Sequence, residues 1–227
     1  MKTTLGLLGT LAIFSLALCT NLFYTGTGFL PSTFGGHTTM FLLSGLFIYI
    51  FRDQVPFRLG KIKLKVLAKA FLITLGVTFL SNFVVTFISL LLGSVSLTEK
   101  HFVFNTMNPW QIFIFVFLYA SIAEEFLYRG FLQNMLSSLS SKAISLFGLR
   151  LSAPVLIAAL FFGLSHLILI NTGASGPFLI RIVVFTTCLG IIAGYFQEKY
   201  KNTTYAILIH MTGNLPGLIS ALILSPA

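Results

Sequence analysis

Pro109-Trp110-Gln111-Ile112-Phe113-Ile114-Phe115-Val116-Phe117-Leu118-Tyr119-Ala120-Ser121-Ile122-Ala123-Glu124-Glu125-Phe126-Leu127-Tyr128-Arg129 decides how this chain is read. The stretch continues apolar to Leu136 and is long enough, as a helix, to cross about 30 Å of hydrocarbon. Two adjacent carboxylates and a guanidinium interrupt it. Each ionisable side chain at the centre of a span costs roughly 2.5–3.5 kcal/mol. A chain that keeps three of them there is expected to use them.

The rest of the sequence agrees with a membrane setting. Of 227 residues, 56% are hydrophobic and only 8% are charged, against about 25% charged in a soluble domain. Apolar windows recur seven times, at about 4–23, 37–51, 66–93, 109–136, 153–170, 178–197 and 203–225. The expectation is an all-α polytopic membrane protein of about seven transmembrane helices, forming a single integral membrane domain over 1–227. The short second window and the long third and fourth are absorbed by tilt or by extension past the bilayer.

Charge sets the expected topology. With the N-terminus cytoplasmic, the inside positions hold Lys2, Arg52, Arg58, Lys61, Lys63, Lys65, Lys142, Arg150, Lys199 and Lys201. Lys69 and Arg129 lie near inner helix ends and can snorkel that way. Only Lys100 and Arg181 fall towards the outside, a bias of twelve to two that follows the positive-inside rule. The net charge of +9 is therefore topological, and a nucleic-acid partner is not expected. The basic run from Arg52 to Lys65 reads as a solvated loop facing lipid headgroups. Ser137–Arg150, with serines, Lys142 and apolar residues, reads as an amphipathic helix on the inner surface.

Residues 24–36 and 171–177 have turn composition. Cys19 and Cys188 lack ligand spacing and read as buried thiols. The first twenty residues could serve as a secretory signal. Leu18 is too large for the residue before a lipoprotein-type cut, and no small-x-small site precedes it, so an uncleaved first span is preferred.

Three later sets of polar residues fall inside spans. Glu125 and Arg129 stand four apart on one helix face, suited to an ion pair. Glu124 is turned about 100° away, so it is the better candidate for a carboxylate facing a cavity. The competing reading is a buried ion pair that only fixes packing. Phe162 and His166 share a face of the fifth span, where the ring could wall a pocket for the imidazole; a satisfied core histidine is the plainer reading. His210 and Asn214 sit at i, i+4 on the seventh. His37 and His101, at or near outer loops, receive no role.

Brought together, these groups suit peptide hydrolysis. A carboxylate in low dielectric can take a proton from water, and a histidine can share that water. A neutral imidazole N–H and an amide can donate to the oxyanion on the scissile carbonyl. One such donor is typically worth about 2.7–4 kcal/mol.

Glu-Glu-x-x-x-Arg at Glu124/Glu125/Arg129, Phe-x-x-x-His at Phe162/His166 and His-x-x-x-Asn at His210/Asn214, in that order, resemble the CAAX-protease and bacteriocin-processing family of intramembrane endopeptidases, the type II CAAX prenyl endopeptidase group included. The resemblance covers about 109–215. It implies that Glu124 and His166 activate water, that His210 and Asn214 form the oxyanion hole, and that Glu125 and Arg129 support them. It further implies a peptide or lipidated-peptide substrate, prenylated in the eukaryotic members, and for many prokaryotic members a link to peptide maturation or bacteriocin immunity. The expected location is a prokaryotic cell membrane, or the endoplasmic reticulum membrane in a eukaryote.

A metal-free site is favoured. A zinc site would draw on His166, His210 and Glu124, but there is no His-Glu-x-x-His pairing, and Asn214 suits a donor better than a ligand. Two other function classes remain open on the residues alone. Intramembrane Glu, His and Arg also build proton-coupled carriers, and a protein of this kind can act by binding alone, as an immunity factor or scaffold.

Overall fold

The computed structural model describes residues 2–93, 101–146 and 148–224, so Lys100 lies outside the described residues. Among these, six helices are long and apolar enough to cross a membrane and a seventh is apolar but shorter. They are α1 (Lys2–Phe23), the short α2 (Phe34–Ile50), α3 (Leu64–Leu91), α4 (Pro109–Gln133), α5 (Ala153–Thr172), α6 (Gly176–Tyr200) and α7 (Thr203–Leu224). The protein is an all-α integral membrane protein.

Local signals set several boundaries. Asn108 and Gln111 form a reciprocal capping box at the start of α4, with Pro109 in the first turn. Ser152 and Ser175 cap α5 and α6 by accepting from Val155 and Phe178 backbone N–H groups. Backbone bonding in α4 widens to the π register over Ile112–Ala120 and Phe126–Gln133, around an α-helical turn at Ser121–Glu125. Such widened turns occur often at functional sites. α5 tightens to a 3₁₀ helix from His166 onwards.

Small residues let helices close up around the centre. A Cβ on Gly190 of α6 would meet Arg129 Nη2 at 2.7 Å and the Ala159 Cα at 3.0 Å, and one on Gly163 of α5 would overlap the Thr187 hydroxyl. The absent side chains thus make room for a guanidinium and for the α5–α6 contact.

The connections separate two ends of the bundle. One carries the segment from Phe51 to Lys63, residues 134–152 and the α6–α7 turn. Here the Lys2 ammonium donates to the Gln54 carbonyl and to Ser137. The stretch from Arg58 to Lys63 does not float free: the Asn202 side chain accepts from Gly60 N–H and donates to the Gly60 and Lys61 carbonyls, and Tyr205 OH accepts from Lys63 N–H. Its basic side chains nevertheless point to the surface. At the opposite end, Gln111 reaches the Phe29 carbonyl, and Tyr119 OH donates to Thr38.

The expected amphipathic helix at Ser137–Arg150 is not formed. One 3₁₀ turn, Ser137–Leu139, leads into an antiparallel hairpin of β1 (Ala143–Leu146) and β2 (Leu149–Ser152). Gly148 takes a positive φ of 73° at its turn, a conformation that ends any helix running through it and that glycine adopts without strain. Arg150 closes the hairpin base by donating to the Ser140 and Ser141 carbonyls.

Candidate active site

Arg129 and Glu125 occupy the deepest part of the site and are fully buried. Arg129 Nη1 donates to Glu125 Oε1 at 2.8 Å, and its guanidinium lies over the Phe162 ring, 4.6 Å from the centroid. An ion pair removed from water needs such extra contacts to offset desolvation. The same Glu125 oxygen stands 2.9 Å from His210 Nδ1.

Glu125, paired to a guanidinium, accepts hydrogen bonds and cannot donate them, so Nδ1 of His210 bears the hydrogen. A neutral His210 therefore presents a bare Nε2 and has no N–H left for an oxyanion. The neutral imidazole donor expected from sequence is incompatible with this geometry. Nε2 donates only if the ring is doubly protonated.

Nε2 of His210 faces Glu124, 3.8 Å from its Oε2. Glu124 is the more open of the two carboxylates, with 16% of its side-chain surface exposed. Its other oxygen, Oε1, stands 3.3 Å from His37 Nε2. Sequence reasoning left His37 without a role because it follows Gly35-Gly36 in a stretch with loop composition; the fold starts α2 three residues earlier, at Phe34.

His166 stands where α5 passes from α to 3₁₀, with Nδ1 2.9 Å from the Phe162 carbonyl. That carbonyl can only accept, so the hydrogen is on Nδ1 and Nε2 is left as a base. No hydrogen bond joins His166 to Glu124; the two interact electrostatically. Phe162 links the set, its ring centroid 5.1 Å from that of His166 and 5.2 Å from that of His210. Asn214 lies one turn beyond His210, and its amide donates to the Ser121 hydroxyl at 3.2 Å. Ser121, three residues before Glu124 on α4, was legible as a same-face neighbour but was not singled out.

Counting 1.5 Å per residue from Pro109 puts Glu124 towards the basic end. There the short α2 brings His37, near its start, level with the carboxylate. Wide π turns advance the chain less per residue than α turns do, and α2 is short. His101, in the connection before α4, also comes within electrostatic range of His166 and Glu124. Burial, reinforced by His166, holds its imidazole down at about 4. Among the described residues no three His, Cys, Asp or Glu side chains are placed to share a metal ion.

Residues 105–216 match the family model described as type II CAAX prenyl endopeptidase Rce1-like. All seven motif residues fall inside that segment, whereas His37 and His101 fall outside it. No curated protein and no solved structure matches the chain.

Proposed function

The chain belongs, through residues 105–216, to the type II CAAX prenyl endopeptidase Rce1-like family, a protease family; from that premise we propose that it is an intramembrane endopeptidase cutting a peptide or lipidated-peptide substrate. The observation that carries the reading is the contact chain Arg129–Glu125–His210–Glu124, whose inner members are sealed and whose last carboxylate is partly open.

In this mechanism Glu124 takes a proton from water, with the bare Nε2 of His166 holding the same water from the α5 side. The hydroxide adds to the scissile carbonyl carbon. Negative charge gathers on the carbonyl oxygen, where protonated His210 Nε2 and the Asn214 amide donate. Collapse breaks the C–N bond as the proton held by Glu124 passes to the leaving amine, giving a carboxylic acid and an amine. Arg129 and Glu125 keep His210 oriented and cationic throughout. Ser121 holds the Asn214 amide until the oxyanion competes for it. Water activation without a metal is the reading that Asn214, a poor zinc ligand and a good donor, favours.

Purified protein in lipid nanodiscs should cleave a farnesylated or plain peptide drawn from the peptide pool that accumulates in cells carrying Glu124→Ala. Glu124→Ala and His166→Ala should lower turnover by about 10²–10⁴-fold, and a chelator should leave wild-type turnover unchanged. Equal turnover in the wild type and Glu124→Ala would reject the assignment, and loss with chelator would reject the metal-free step.

A further inference from the structure

We infer that His37, from outside the family segment, is a positioning residue that aims the Glu124 carboxylate. The inference rests on the proposed role of Glu124 as base. Its geometric basis is separate: Glu124 is bracketed by two imidazoles, one per oxygen, with His37 Nε2 at 3.3 Å from Oε1 and His210 Nε2 at 3.8 Å from Oε2.

The residues on either side of His37 are pinned. Gly36 N–H donates to Asn21 Oδ1 of α1 at 2.8 Å, and a Cβ on Gly36 would collide with that amide. Thr38 Oγ1 accepts from Tyr119 OH of α4 at 2.9 Å. Phe34 stacks on Tyr119 and Phe41 packs on Phe126, with centroids 5.5 and 4.9 Å apart. Tyr119 and Phe126 flank Glu124 on α4, so aromatic contacts from α2 grip α4 on both sides of the glutamate. The start of α2 is thus fixed to α1 and α4, and His37 is delivered to Glu124 by a rigid frame.

A glutamate side chain has three rotatable bonds, and a general base works only when a lone pair points at the water. Holding Oε1 from the α2 side leaves Oε2 directed at His210 and the α7 side of the pocket. His37 acts through Glu124 and needs no contact with substrate. It also ties the family segment to the N-terminal helices, which explains why α1 and α2 are built against it.

The test uses two replacements in the full chain. His37→Gln keeps an N–H near the position of Nε2, and His37→Phe keeps a flat ring of similar size without it. With melting temperatures in detergent confirming that both fold, His37→Phe should lose about 10–100-fold in kcat with KM unchanged. His37→Gln should stay within about threefold of wild type. A purely structural role would move the two variants together, and that result, or full activity in His37→Phe, overturns the inference. The acid limb of the pH–rate profile should move in His37→Phe and less in His37→Gln. Glu124 is faced by His37 from α2, His166 from α5, His210 from α7 and His101 from the segment before α4, with Glu125 and Arg129 on its own helix.

A second measurement needs no substrate. The chain holds four histidines, so His37→Phe identifies the His37 ring signal by its loss from the spectrum of histidine-labelled protein. Its ring resonances, read at one fixed pH, should move in Glu124→Gln, because the hydrogen-bond partner of Nε2 changes. Unmoved resonances overturn the contact even if the protein cleaves peptides. A protein that cleaves nothing, yet shows the shift, refutes the proposed function and leaves the His37–Glu124 contact standing.

Discussion

The basic end of this bundle and its interior hold their charges in opposite ways. At the basic end, Arg52, Arg58, Lys61, Lys63, Lys65, Lys142, Arg150, Lys199 and Lys201 are exposed, and order comes mainly from side chains bonded to backbone, as when Asn202 ties residues 60–61 to the α6–α7 turn. In the interior, ionisable side chains bond to one another with little water around them: Arg129 to Glu125, Glu125 to His210, Glu124 to His37. Exposed charges tolerate substitution because water replaces a lost partner. Buried ones do not, because the remaining charge has nothing to turn to. Side chains of the same kind thus meet water at the basic end and one another in the interior.

The sharpest way to break that contrast is to empty its buried half. Arg129→Met leaves Glu125 buried with His210 as its remaining partner and should cost about 3–5 kcal/mol of stability, read as a large drop in melting temperature in detergent. A small drop would mean that Glu125 is less isolated than its burial implies. Asn214→Ala removes one donor and should lower kcat by about 10²–10³-fold, or about 2.7–4 kcal/mol, with KM and melting temperature nearly unchanged. An equal loss in KM would move Asn214 from the oxyanion to ground-state binding.

At the basic end the effects should run the other way. Asn202→Ala should cost about 1–3 kcal/mol of stability, since the Gly60 and Lys61 carbonyls lose their amide donor and Gly60 N–H keeps only Thr204. The kcat of the folded fraction should stay within about twofold. A large loss of kcat would show that the basic end and the interior are coupled.

The smallest expected effect concerns His101. Its imidazole titrates at about 4 in the fold against an ordinary 6.5, so the unfolded chain binds the proton first. Its contribution to stability is complete above pH 6.5 and is lost as pH falls towards 4. Melting curves of wild type and His101→Gln should diverge across that window and coincide at pH 8. Identical curves would place His101 in a wetter setting.

Much of the fold was legible because membrane spans must satisfy their own backbone, which makes a long apolar run readable without knowledge of its neighbours. The seven windows correspond to α1–α7 within a few residues. The hairpin at 143–152 was missed because short mixed segments give no periodic signal, and Gly148 at the turn was its one local cue. Within the site, the Glu125–Arg129 pairing followed from i, i+4 spacing. The His37 contact had no sequence signal, since its partner is 87 residues away on another helix.

By itself, the sequence determined that this is a membrane-embedded helical protein, and it named the seven motif residues of the family segment. Those conclusions depend on composition and on spacing along single helices. Tertiary structure alone decided what each ring nitrogen of His210 faces, which histidines meet Glu124, and at what level between the helix ends they do so. A tautomer depends on what stands opposite each ring nitrogen, and depth depends on helix pitch and packing. Neither quantity is local to any stretch of chain.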